Sequence, residues 1–167
     1  MQKKIYVLDA SAIIGGFCSN ANFTTAGVIL EIKDLKSSLL LESAIKNGYI
    51  HVEEPEEEDI EKTSKIIESS GDILRLSRVD RNLIALALKL KRKGYALTVV
   101  TDDYSMQNTL KTIDMPYRTV LAEGIKEIYN WVKICVGCKK KYPSRYTFKD
   151  CEICGSPLYK KRMKLKK

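Results

Sequence analysis

The sequence predicts an α/β protein, a mostly parallel sheet with helices on both faces, followed by a small C-terminal module of different character. Three observations carry that prediction. The β-rich runs Ile5 to Leu8 and Ala96 to Thr101 each lead straight into aspartate. Segments with apolar residues at helical spacing alternate with such runs over about 130 residues. Near Val132 the charge balance then changes: residues 1–131 hold 17 basic and 19 acidic side chains, and residues 132–167 hold 12 and 2.

At 167 residues and 44% apolar the chain can bury a core, which excludes a disordered protein. Its net charge of +8 resolves into a body of −2 and a tail of +10, an electrostatic footprint for a polyanion. No apolar run approaches the ~20 residues of a membrane-spanning helix, and the N-terminus lacks the apolar core of a signal peptide. A cytoplasmic location is the expectation.

The elements follow in order. Ile5 to Leu8 reads as a strand buried on both faces that delivers Asp9 into a loop with Ala10, Ser11 and Ala12. After a cap at Thr24 or Thr25, Val28, Ile32, Leu35 and Leu39 lie at helical spacing through Leu41, with a break near Asp34. Tyr49 to Val52 is a second strand. The acidic run Glu53 to Asp59 is expected as a solvated face opening an exposed helix from Glu56 to Ser69, ended by Gly71. Ser77 precedes a strong helical pattern in Leu83, Ile84, Ala87 and Leu88, which closes with Lys91, Arg92, Lys93 and Gly94. Ala96 to Thr101 is a third strand, and Tyr104 to Ile113 a helix. A short strand over Tyr117 to Leu121 and a last helix over Glu123 to Trp131 complete the body. The expected division is therefore 1–131, 132–160 for the C-terminal module, and 161–167 for a basic tail.

Ligands of open α/β sheets gather outside the carboxyl ends of the strands, where Asp9 and the Asp102–Asp103 pair fall. Glu31 lies between Val28 and Leu35, and Asp80 precedes Leu83 and Ile84, spacings that put each carboxylate on the apolar side of its helix. Each acid also has a plainer reading. Asp80 fits a capping box with Ser77, Asp102 or Asp103 can cap the helix that follows, and Glu31 can be a surface acid. Together, four converging carboxylates without a cationic partner call for a divalent ion, and oxygen donors suit Mg²⁺ or Mn²⁺. Such ions activate water against a phosphodiester without a protein nucleophile. His51 is the single histidine, which excludes a mechanism built on two, and it reads as a strand residue without chemistry.

Cys135 and Cys138, then 12 residues, then Cys151 and Cys154 have the two-knuckle spacing of a tetrahedral zinc ribbon, with Gly137 and Gly155 relaxing the turns. With four protein ligands the ion is structural. The fifth cysteine, Cys18, reads as a small buried apolar residue. Around the knuckles stand Lys139, Lys140, Lys141, Arg145 and Lys149, then Lys160, Lys161 and Arg162, with Lys164, Lys166 and Lys167 beyond. Tyr142, Tyr146, Phe148 and Tyr159 interleave with them. Cations with exposed rings suit RNA, through phosphate contacts and base stacking.

Four segments, Val7-Leu8-Asp9-Ala10-Ser11-Ala12-Ile13, Val28 to Ile32, Leu76 to Asp80 with Ile84 to Ala87, and Val100-Thr101-Asp102-Asp103-Tyr104-Ser105-Met106-Gln107-Asn108, together resemble PIN-domain nucleases. With the zinc ribbon, the chain resembles the archaeal Nob-type endonucleases of ribosome biogenesis over nearly its whole length. The resemblance implies a PIN-like fold and a metal-dependent endoribonuclease that forms the mature 3-prime end of small-subunit rRNA on the pre-ribosomal small subunit. It maps the catalytic acids onto Asp9, Glu31, Asp80 and Asp103, the last being the aspartate of a Thr-x-Asp motif whose middle position is Asp102. Thr101 and Ser11 become orienters of the acids, and Asn108 lies one turn further into the helix. Two other readings stand beside it: a toxin-like PIN ribonuclease acting on tRNA or mRNA, and a non-catalytic RNA-binding assembly factor.

Overall fold

The computed structural model describes residues 4–70, 76–121, 129–143 and 145–164. Strand β1 (Lys4–Leu8) is central in a five-stranded sheet of order β3-β2-β1-β4-β5, in which every pairing is parallel. Its neighbours are β2 (Asn22–Thr24) and β4 (Ala96–Val100), with β3 (Ile50–Val52) and β5 (Tyr117–Arg118) at the edges. The register sets Val7 opposite Val99 and Leu8 opposite Val100, all four fully buried, so the middle of the sheet is apolar on both sides.

Helices cover both faces. Among the described residues, six helices interleave with the strands: α1 (Ala10–Ile14), α2 (Ala26–Glu31), α3 (Leu35–Lys46), α4 (Glu57–Ser70), α5 (Arg78–Arg92) and α6 (Tyr104–Thr112). On one face Ile5, Val7 and Val99 pack with Leu83, Leu86 and Leu90 of α5, Met106 and Leu110 of α6, and Ile67 of α4. On the other, Leu8 and Val100 pack with Leu41 of α3, Ala12 and Ile32. Each fully buried aliphatic side chain contributes roughly 1.5–3 kcal/mol, so α5, whose Leu83 to Ala87 are all buried, is the principal brace of the sheet.

Several elements differ from the expectation. Asp9 does not enter a loop; it caps α1, its side chain accepting from the Ala10 amide. Strand β2 is too short to announce itself by alternation. The expected break near Asp34 is present, with Asp34 capping a new helix, but the apolar spacing read across it fails: Leu35 and Leu39 are 75% and 57% exposed, and Leu41 carries the burial. The last body strand stops at Arg118. The acidic run is a solvated face only in part: Glu54, Glu56, Glu57 and Glu58 are exposed, but Asp59 is 1% exposed and pairs with Arg92, which also meets Glu56, while Lys89 and Lys93 both reach Glu53. The expected stop at Gly71 lies outside the described residues.

Residues 129–164 form a second, three-stranded antiparallel sheet, with β6 (Tyr129–Cys135) between β7 (Lys141–Pro143) and β8 (Leu158–Lys164). Tyr129 to Trp131 are therefore strand rather than the end of a helix, since their backbone pairs with Arg162 to Lys164; the rest of that expected helix lies outside the described residues. Strand β6 starts before the expected boundary at Val132, and β8 runs past the expected end at 160. Lys161 to Lys164 are ladder residues, not a free tail.

Candidate active site

Asp9 sits where β1 ends, 7% exposed, and three donors aim at its carboxylate. The Ala10 amide donates to Oδ1 at 2.7 Å, while Thr101 Oγ1 and Ser11 Oγ donate to Oδ2 at 2.8 and 3.2 Å. Both hydroxyls also accept from the next loop: the Asp103 amide donates to Thr101 Oγ1 at 3.0 Å and the Asp102 amide to Ser11 Oγ at 3.0 Å. The adjacent parallel strands β1 and β4 thus end in one hydrogen-bonded unit. Burial pushes the Asp9 carboxyl above its ordinary range; the Thr101 and Ala10 hydrogen bonds oppose the shift and the nearby charge of Asp80 adds to it.

Asp80 completes a capping box on α5. The Asp80 amide donates to Ser77 Oγ and the Ser77 amide to Asp80 Oδ2, so the helix N-terminus fixes the carboxylate whose charge is felt at Asp9. Glu31 is the last residue of α2. It is exposed rather than core-facing, because the helix ends at it and the inferred apolar stripe does not continue. Its carboxyl is nevertheless raised, first by desolvation and then by Asp80 and Asp9, which puts the three acids in one field. Asp103 caps α6 through the Met106 amide and joins the group through Thr101.

Asp102 turns the other way, accepting from the amides of Val120 and Leu121 and tying the loop after β4 to the chain after β5. Asn108 is buried in α6. Among the described residues, no ion pair of lysine or arginine reaches Asp9, Glu31, Asp80 or Asp103. A carboxylate set with mutual repulsion and oxygen donors only is the chemistry a hard divalent cation requires. The acids form an open arrangement, however: among the described residues, the cysteines are the one group of three or more metal-ligand side chains drawn within 4.8 Å of each other.

One positioning device left no trace in the sequence pattern. Helix α2 has six residues, and its cap residue Thr25 makes no side-chain capping bond. Glu54 supplies it instead, accepting from the Ala26 amide at 2.8 Å. The Glu54 carbonyl in turn accepts from Lys89 of α5 at 2.8 Å, and Lys89 is held by Glu53 and Glu56. The helices that carry Glu31 and Asp80 are thereby linked across 28 and 35 positions of sequence.

In the second sheet Cys135 and Cys154 sulfurs stand 3.3 Å apart and those of Cys138 and Cys151 3.5 Å apart. A disulfide needs about 2.05 Å, whereas a tetrahedral ion with ~2.3 Å bonds to sulfur spaces its ligands by about 3.8 Å. The four thiols therefore suit one tetrahedral ion. Hydrogen bonds from Ser156 pull the Cys154 thiol down to about 5, and the Tyr142 hydroxyl, 3.0 Å from the Cys151 sulfur, lowers that thiol as well. Gly155 has φ +68, and a Cβ on Gly137 would stand 2.6 Å from Ser156 Oγ, so both turns need their glycines. Cys18, expected to be buried, is exposed.

The basic residues are not one patch. Lys139 folds back on the Val136 carbonyl, and Lys140 pairs with Glu152 above the Tyr142 ring. Lys141, Lys160 and Lys161 are exposed strand residues, Arg145 and Lys149 are exposed in the intervening loop, and Arg162 continues β8.

Residues 6–90, a span that contains Asp9, Glu31 and Asp80, match the family described as the PIN domain of ribonuclease. The Endoribonuclease Nob1 of Methanothermobacter thermautotrophicus is 44% identical over 158 residues, covering 93% of this chain and 92% of the relative. That of Methanocaldococcus jannaschii is 39% identical, covering 96% and 79%, and that of Pyrococcus abyssi 36%, covering 91% and 90%. With a parallel sheet whose strand ends gather acids, a four-cysteine ribbon behind it, and likeness that runs through both, the chain belongs to the Nob1 family of PIN-domain endoribonucleases.

Proposed function

We propose that this endoribonuclease cuts precursor small-subunit rRNA at its 3-prime end, on the pre-ribosomal small subunit and in the cytoplasm. The reading rests on the relatives' identity along nearly the full chain, and the observation that carries its chemistry is the field shared by Asp9, Glu31 and Asp80 without a cation. Asp9, Glu31, Asp80 and Asp103 hold Mg²⁺ or Mn²⁺ in this reading. When bound, such an ion acidifies water and offsets the charge of the phosphodiester oxygens. The chain's own contribution is position: Thr101 and Ser11 orient Asp9, the capping box orients Asp80, and the α6 cap orients Asp103. One Zn²⁺ on Cys135, Cys138, Cys151 and Cys154 folds the ribbon, which supplies cations and rings to the RNA beside the nuclease unit.

The test is cleavage of RNA spanning the precursor 3-prime junction, beside an unrelated tRNA, by wild type and Asp9→Asn with Mn²⁺, with Mg²⁺ or with neither. Discrete metal-dependent cuts at the junction, absent from the mutant, are expected, with RNA binding retained. Cuts in the tRNA alone would replace the reading with a toxin-like ribonuclease. Binding without cleavage under either metal would replace it with an assembly factor.

A further inference from the structure

Helix α2, which carries Glu31 at its last position, has little support of its own. Only Val28 of its six residues is buried, and a helix of that length does not persist alone. Its cap residue Thr25 makes no capping bond, and the buried Thr25 hydroxyl has no hydrogen-bond partner among the described residues. The first amide of the helix, that of Ala26, goes to the Glu54 carboxylate instead, at 2.8 Å. Glu54 stands in the loop after β3, and that loop is itself fixed at two points. The Glu53 amide donates to the Thr24 carbonyl at 3.0 Å, and Lys89 of α5 donates to the Glu54 carbonyl at 2.8 Å. Where α2 meets α5 the approach is close, since a Cβ on Gly27 would stand 3.3 Å from a methyl carbon of Val79, the residue before Asp80. Glu31 lies one turn beyond Gly27 on the same face of the helix, and helical side chains lean back toward the N-terminus, here toward the start of α5.

We infer that Glu54 is a positioning residue of the nuclease: by capping α2 in place of Thr25, its carboxylate holds Glu31 where it can share a divalent ion with Asp80 and Asp9. The inference rests on the reading of those acids as the ion's ligands and adds a residue that does not touch the ion. A carboxylate at a helix N-terminus is favoured twice, by the hydrogen bond it accepts and by the helix dipole. Groups that orient a metal ligand from outside the coordination shell change affinity by roughly 10–100-fold. The burial of Val28 and the contact of Gly27 with Val79 also hold α2, so the lower end of that range applies. Glutamine at position 54 keeps an acceptor oxygen and loses the charge, which separates the bond from any long-range attraction of the carboxylate for the ion.

The test uses the full chain with its zinc, and reads Mn²⁺ binding by electron paramagnetic resonance of the free ion together with hydrogen exchange of the α2 amides. Glu54→Ala should weaken Mn²⁺ binding roughly ten-fold and speed exchange in α2, with exchange in α5 and β1 unchanged. Glu54→Gln should retain most of the affinity. In a Glu31→Gln background, Glu54→Ala should cost less than about two-fold further, because a residue that acts through Glu31 then has no ligand to position. Glu57→Ala, which removes an exposed charge from the same acidic run, should change neither readout. Parental Mn²⁺ affinity in Glu54→Ala, an equal loss in Glu54→Gln, or an undiminished loss in the Glu31→Gln background would overturn the inference while leaving the acids as ligands. Absence of Mn²⁺ binding by the parent chain would overturn both.

Discussion

Replacing Thr101 by valine removes one hydroxyl and almost no volume at a position with no exposed surface. With it go the 2.8 Å bond donated to the Asp9 carboxylate and the 3.0 Å bond accepted from the Asp103 amide, besides a long 3.7 Å contact to Met106 Sδ. A bond to a charged acceptor contributes about 1.5–3 kcal/mol, and a stranded amide costs about 1 kcal/mol where water reaches it. No cavity cost enters, because valine fills the space. The sum is roughly 3 kcal/mol, which, at about 1–3 kcal/mol per molar urea, lowers the unfolding midpoint by about 1–3 M. Catalysis should suffer in a specific way. Thr101 supplies the largest influence opposing the raised pKa of Asp9, so its loss drives the carboxyl further up and the acid limb of the pH–rate profile moves to higher pH. Thr101→Ser keeps both bonds and should keep the profile. A folded Thr101→Val enzyme with the wild-type acid limb would refute the assignment of Thr101 as the orienter of Asp9.

The raised Asp9 pKa also has a consequence for stability. Its ionisation disfavours the fold, a stability contribution present at low pH and lost as pH rises through the folded pKa, so metal-free Asp9→Asn should melt above wild type at pH 7.5, with the gap closing on acidification. Added Mn²⁺ should reverse the order, as read by thermal melts with and without the ion. Gly155→Ala places a Cβ at φ +68, costs about 1–2 kcal/mol, and should weaken zinc binding roughly five- to thirty-fold in a chelator competition. Asp102→Ala strands the Val120 and Leu121 amides and should cost about 2 kcal/mol in urea melts, with the metal concentration for half-maximal cleavage unchanged; a large rise in that concentration would make Asp102 a ligand after all.

What was legible in the sequence was local. Asp9 ends a run of apolar residues, Asp80 lies three after a serine, and the cysteines carry their spacing on their face; each signal spans fewer than ten residues or repeats a known interval. Glu31 is legible as a site acid but its exposure is not, because Leu35, which completes its apolar stripe in the sequence, lies beyond the break in the new helix that Asp34 starts. Trp131 was misassigned since a seven-residue strand with partners up to 35 positions away looks helical in isolation. Asp59 and Arg92 are 33 residues apart, so an acidic run that seemed bound for solvent carried no mark of its partners. The lysines of β7 and β8 were legible as a charge and not as two faces, because register decides the face and pairing decides register.

The six-residue helix that carries Glu31 is too short to be stable alone. Its place beside Asp80 depends on the burial of Val28 in the core and on a carboxylate, a carbonyl and the nearly buried ammonium of Lys89. The cost of withdrawing ions from water falls on warming, while the apolar contribution per unit area levels off. The spacing between these two acids is therefore set in part by interactions whose penalty shrinks with heat, and warming loosens it less than it would a hinge held by apolar contacts alone. Salt acts in the opposite sense on the exposed Glu54 end of the link. Temperature and ionic strength thus become two independent handles on one interhelical distance.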